Sequence, residues 1–111
     1  MNTKVESLTP FRRVMLDIEA ERLRQFRQEG YSDEHDDEHV NQELARAAAC
    51  YIDFYCSGED VEIVDHDDGG QNVHHDWPWE ARSWKPKDPR RDLIRAAALI
   101  VAELERLDRA C

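Results

Sequence analysis

The stretch from Asp88 to Arg109, DPRRDLIRAAALIVAELERLDR, constrains the fold of this chain more than any other. Asp88 is a residue type that caps helix N-termini, and Pro89 follows at the first helical position, where a missing N–H is harmless. Leu93, Ala97, Ile100, Leu104 and Leu107 recur at steps of three and four, so they share one helical face, the expected core stripe. Ile94, Ala98 and Val101 widen it, which suits a helix gripped from two sides. Ala96, Ala97 and Ala98 let a neighbouring helix come close. Arg91, Arg95, Glu103, Glu105, Arg106 and Asp108 supply the wet face.

Two further helices are expected upstream. Thr9–Pro10 repeats the cap-then-proline start, and Gly30 suits a left-handed stop, giving a helix over about 9–29. Its inner face reads Phe11, Val14 or Met15, Ile18, the stem of Arg22, and Phe26. A second helix is expected over about 39–57, ending at Gly58, with Leu44, Ala48, Tyr51 and Tyr55 inward. Residues 58–87 form a loop-rich insertion: Val61 to Val64 can pair with Asn72 to His74 in a short hairpin, and Asp65 to Gly70 reads as a turn. The third helix, about 88–109, closes the chain. The expected architecture is all-α, three main antiparallel helices in one domain, 1–111, behind a flexible lead-in at 1–8. Such a unit can complete its core with a second copy, so a homodimer is expected.

At 111 residues the chain can bury a core without covalent staples. A net charge of −10 disfavours duplex nucleic acid as a partner, because the field of the whole protein repels phosphate. No apolar run is long enough to span a bilayer, so no membrane partner is expected. Of the three cysteines, Cys50 and Cys56 fall on one expected helix, six residues apart and on different faces, so they cannot bridge there. A reducing cytoplasm fits.

Two stretches carry chemistry. YSDEHDDEH, Tyr31 to His39, packs five acids and two histidines into nine residues. Carboxylates favour hard divalent cations, and His35 with His39 at a four-residue step can share an ion on a helical segment. The candidate ligands are His35, Asp36, Asp37, His39 and Glu43, with Mg2+ or Mn2+ as candidate cofactors. The other reading is a solvated acidic turn in which Asp36 or Asp37 caps the next helix. A second cluster, Asp65 to Asp68 with His74, His75 and Asp76, can complete such a site or form a surface loop. WPWEARSWKPKDPRR, Trp77 to Arg91, sets three tryptophans beside five basic residues. Lys85, Lys87, Arg90 and Arg91 converge on the start of the last helix, where free N–H groups and the helix dipole favour an anion. Trp79 or Trp84 can stack a base alongside. Alternatively the tryptophans plug the end of the bundle. Nucleophilic catalysis has no support: there is no Gly-x-Ser-x-Gly, phosphate-cradling glycine loop or CxxC pair, and Cys50 and Cys56 lie on an apolar-looking helix.

IEAERLRQFRQEGYSDEHDDEH, Ile18 to His39, together with DLIRAAALIVAELERLDR resembles small phage and prophage proteins of the MazG-like group, over about half the chain. The pattern HDD…WPW…RRDLI…ERLDR is similar to that of a set of phage-encoded proteins. The first resemblance implies an all-helical oligomer and Mg2+-dependent hydrolysis of nucleoside triphosphates; the second implies viral or prophage origin. The group's glutamate motif should fall near Gln42, Glu43 and Arg46, where only Glu43 is acidic, and Asp92 alone stands for its second metal segment. The leading expectation is therefore a phage-type protein that binds a nucleotide, or sequesters a nucleotide-derived defence signal. A metal-dependent pyrophosphohydrolase and an acidic inhibitor or adaptor of a host protein stand as alternatives.

Overall fold

A computed structural model describes residues 9–57, 63–65 and 72–110. The lead-in at 1–8, the stop at Gly58, Val61 and the turn at 66–70 lie outside the described residues. Four helices carry the structure: α1 (Pro10–Gln28), α2 (Asp33–Asp37), α3 (Glu43–Ser57) and α4 (Pro89–Ala110). Two three-residue strands, β1 (Ile63–Asp65) and β2 (Asn72–His74), pair antiparallel with Val64 opposite Val73. The fold is all-α with a minimal hairpin, and no helix among the described residues is long and apolar enough to cross a membrane.

The helix ends follow local chemistry. Thr9 accepts a hydrogen bond from the Arg12 N–H, and Asp88 Oδ1 accepts from the Arg91 N–H at 2.8 Å. Gly30 sits at φ 78°, where an L-residue would be strained, and the Tyr31 N–H folds back to the Gln25 carbonyl. The expected second helix is α3, with a later start, and an additional turn of helix, α2, stands where an acidic loop is expected. Ser32 caps α2, and α3 starts only at Glu43, after Gln42 adopts φ 65°. The turn that closes α2, with the His39 N–H on the Asp36 carbonyl at 3.1 Å, keeps His39 next to His35.

α4 is the hub, packed against α3 on one side and α1 on the other. α1 meets α4 through Asp17 with Arg90, Glu21 with Arg91 and Arg22 with Glu105. α3 runs antiparallel to α4, with Glu43 near Arg106 and Tyr51 near Asp92. The core joins Leu44, Ala47, Ala48, Cys50 and Tyr51 of α3 to Ala96, Leu99 and Ala102 of α4, and Val73, Ala81 and Trp84 close its end. Overall extents of 53 × 37 × 22 Å describe a slab about two helices thick.

The expected core stripes need correcting. On α4 the buried residues are Asp92, Ile94, Arg95, Ala96, Ala98, Leu99 and Ala102, while Leu93, Ile100, Leu104 and Leu107 are exposed. On α1 the buried residues are Glu21 and Gln25, whereas Phe11 is 68% exposed and Met15 and Phe26 are exposed too. Tyr55 of α3 is likewise exposed. Periodicity identifies residues that share a face; it does not say which face meets the rest of the same chain. Here the alanine-rich face of α4 wins, because small side chains let α3 approach closely.

Candidate functional site

The two chemistry-bearing stretches meet in one cleft of about 960 Å3, lined by Gln28, Glu29, Tyr31, His35, Glu38, His39, Pro78, Trp79, Glu80, Arg82, Ser83 and Lys85. Tyr31, His35 and His39 follow one another at four-residue steps, so Gly30 and the one-turn α2 stack them. The Tyr31 and His35 rings lie 4.7 Å apart and nearly parallel. His35 and His39 meet edge to face at 4.3 Å. Trp79 packs 5.1 to 5.8 Å from all three rings. Its indole N–H is buried without an acceptor. Burial pushes the Tyr31 phenol well above its ordinary range.

The polar rim is balanced. Lys85 Nζ lies 2.8 Å from Glu29 Oε2, and Arg82 pairs with Glu80 at 3.1 Å on open surface. Burial alone would raise the Glu29 carboxyl, but Lys85 and Arg24 together hold it below the usual glutamate value. Behind the rings, Asp36 is fully buried and joins two partners: Arg22 Nη2 at 2.9 Å and His35 Nδ1 at 2.9 Å. Burial leaves its carboxyl above the ordinary aspartate value in spite of both.

The other expected site residues are placed elsewhere. Trp84 is only 3% exposed, stacked on Tyr51 in the core, so it plugs the bundle and cannot receive a base. Trp77 is half-buried and donates to the Glu80 carbonyl and Ser83 Oγ. Arg90 pairs with Asp17 and Arg91 with the buried Glu21, both on α1, so the expected gathering of cations at the α4 start does not form. That helix start is already satisfied by carboxylates: Asp88 caps Arg91, and Asp92 Oδ1 accepts the Lys87 N–H at 2.7 Å. Asp37 faces Arg109 at 2.9 Å.

Nor do the carboxylates assemble as the Mg2+ chemistry of the MazG-like resemblance requires. Glu43 lies near Arg106 and Asp92 beside Lys87, fourteen residues apart along α4, or about 21 Å. Arg46 lines a separate pocket of about 450 Å3 with Cys50, Asp53, His74 and Asp76. His74 is buried there, with Nε2 2.7 Å from Asp53 Oδ2 and Nδ1 accepting the Asp76 N–H. The His74 hydrogen bond holds the Asp53 carboxyl below its usual range. One ligand atom each from His74, His75 and Asp76 falls within 4.8 Å, but the His74 lone pair is already engaged. Burial pushes the Cys50 thiol up to about 12, which removes it as a nucleophile.

Sequence reasoning named His35, His39, Trp79 and Lys85 but not that they share a cavity, and it passed over Tyr31. The signal for Tyr31 was present: a third ring one helical step before His35. Comparison with protein-family models, curated proteins and solved structures finds no match to this chain.

Proposed function

We propose that the cleft between the α2 histidines and Trp79 binds a small molecule with a planar ring and an anionic end, of the nucleotide class. The observation that carries this reading is the four-ring wall of Tyr31, His35, His39 and Trp79, with Lys85 and Arg82 at its mouth. Stacking of a base on such a wall is worth about 1–3 kcal/mol, and the rim cations supply the phosphate contacts. The reading is of binding: of the acids that line the cleft, Glu29 is engaged by Lys85 and Glu80 by Arg82. Capture of a nucleotide-derived signal by a phage-type protein is one concrete form. The acids favour this over mimicry of nucleic acid, because Asp17, Glu21, Asp36, Asp37 and Glu103 are each engaged by an arginine.

A thermal-shift screen of nucleotides and cyclic nucleotides tests the proposal. A ligand at 100 times its dissociation constant adds about 2.7 kcal/mol of stability. Trp79→Ala and Lys85→Ala should remove most of that gain, and Arg90→Ala should leave it intact. Loss with Arg90→Ala and retention with Trp79→Ala would move the site to the α4 start and end this reading.

The chain also pairs with a second copy of itself. Leu93, Ala97, Ile100 and Leu104 repeat at the 4–3–4 spacing of a helix–helix seam, yet Leu93, Ile100 and Leu104 are exposed, as are Phe11, Met15, Leu16, Leu23 and Phe26 of α1. Together they offer on the order of 800 Å2, what each partner of a standard-size interface buries. The slab is one layer short of a four-helix packing, and a two-fold axis through this face supplies it. Light scattering on a sizing column should give a dimer mass, and Ile100→Glu with Leu104→Glu a folded monomer. A monomer in the unaltered protein would remove the pairing.

A further inference from the structure

The histidine pair has a geometry that aromatic packing alone does not require. His35 Nδ1 lies 2.9 Å from Asp36 Oδ1, and a carboxylate there calls for an N–H on Nδ1. Asp36 is itself fixed by Arg22, so the orientation of the ring is set from behind. His39 Nδ1 faces Glu43 Oε2 at 3.7 Å, while Glu43 Oε1 is held by the Asn41 N–H. His35 thus holds its Nδ1 on an anchored carboxylate, whereas the His39 Nδ1 stands beyond hydrogen-bond distance of Glu43. The two Nε2 atoms point at one another, 3.0 Å apart, where one N–H can bridge them.

A proton between the two nitrogens satisfies that contact, and a metal cation can take the proton's place. A carboxylate behind the ring, as Asp36 stands behind His35, is the arrangement that orients a histidine toward a metal. Two nitrogens bound at about 2.0–2.1 Å in tetrahedral geometry are separated by about 3.3 Å, close to the distance found. We propose that His35 and His39 bind one divalent transition metal of the zinc class through their Nε2 atoms, on the inner wall of the cleft. Imidazole donors select zinc, nickel or copper over Mg2+. Two protein ligands leave coordination positions open to the cavity, for water or for an oxygen of the cleft's ligand. The metal would also add positive charge to that of Lys85 and Arg82, which are each paired with an acid. Asp36 and Glu43 act as positioning residues.

The proposal stands on the histidine geometry and not on the identity of the cleft's ligand, so the two are tested separately. Zn2+ alone is titrated into the full chain by calorimetry, without nucleotide; the nucleotide screen is run in chelator and again with Zn2+. The expected result is one Zn2+ per chain at this site, weakened at least about tenfold by His35→Ala and by His39→Ala and unchanged by His75→Ala. Because α2 is short and a histidine variant can lose its local fold, nitrogen NMR of the unaltered protein supplies a second measure. The Nε2 resonances of His35 and His39 should move together on Zn2+ addition, and those of His74 should not. Zn2+ uptake without nucleotide binding leaves this site standing and removes the nucleotide reading; nucleotide binding in chelator without Zn2+ uptake does the reverse. Loss of Zn2+ binding only with His75→Ala would overturn the assignment. So would an imidazole pair that shares a proton on titration and takes up no Zn2+.

Discussion

α4 meets its two neighbours through opposite chemistry. Toward α3 the contact is made of Leu44, Ala47, Ala48 and Cys50 against Ala96, Ala98, Leu99 and Ala102, with no charged side chain among these residues. Toward α1 the buried groups are Glu21, Gln25 and Arg95. Glu21, 1% exposed, takes Arg24 at 2.7 Å and Arg91 at 3.2 Å, and Arg95 Nε stands 4.0 Å away. The apolar seam is non-directional and draws its stability from area removed from water. The polar seam is directional: it holds only while each charge has its partner, and it fixes how α1 sits on α4. It also explains why α1 keeps its large apolar side chains outside. The inner position is taken by a salt-bridged carboxylate, so Phe11, Met15 and Phe26 are left for another surface.

The contrast can be broken at its strongest point first. Leu99→Ala, at a fully buried position, should cost about 4 kcal/mol, within the range for deleting buried methyl groups when the site cannot collapse. Glu21→Ala should cost about 3 kcal/mol, because it takes the facing carboxylate from buried Arg95, leaving it Tyr51 and Asp92, while Arg24 and Arg91 retain some water. Denaturant melts in which Arg95→Leu is added to each variant separate the two causes. The second substitution should recover much of the loss in Glu21→Ala and none in Leu99→Ala. If Glu21→Ala costs well under 1 kcal/mol, water reaches the α1 seam and the distinction between the two sides of α4 fails.

The same contrast marks where the sequence was legible. Caps and stops are local: Thr9–Pro10, Gly30 and Asp88–Pro89 act on backbone within a turn, and all were readable. The pairing of β1 with β2 was readable from the apolar run that ends at Val64, the Gly-containing turn sequence after it and the segment Asn72 to His74. The buried side of α4 was not, because Leu93, Ile100 and Leu104 form the stronger apolar row, and only the tertiary partner decides that alanines face α3. A buried Glu21 was equally hidden; a glutamate flanked by arginines reads as a solvated helix face until another helix brings Arg91 and Arg95 to it. At the site, composition singled out His35, His39, Trp79 and Lys85, whereas it overrated Trp84, Arg90 and Arg91. Adjacency in sequence to a helix start does not ensure convergence: Arg90 and Arg91 reach from the first turn of α4 onto the α1 acids Asp17 and Glu21.

The smallest effect falls where the polar seam reaches the cleft. Glu29 is held by Arg24 at 3.1 Å and Lys85 at 2.8 Å, and these cations outweigh burial to keep its carboxyl below the ordinary value of 4.5. A depressed folded-state value means that the carboxylate's stabilisation is fully present above pH 4.5 and is lost as pH falls through the folded value. Glu29→Gln should therefore flatten the decline of melting temperature in acid below that pH and lower it modestly at neutrality. It should also release Lys85, whose ammonium now faces a carboxylate where a phosphate would have to enter. An anionic ligand of the cleft should then bind more tightly to Glu29→Gln than to the unaltered chain, although the protein itself is less stable. Tighter binding paired with a flattened acid limb ties the end of the seam to the mouth of the cleft. Weaker binding would mean that Glu29, not the ligand, is the partner Lys85 is built to keep.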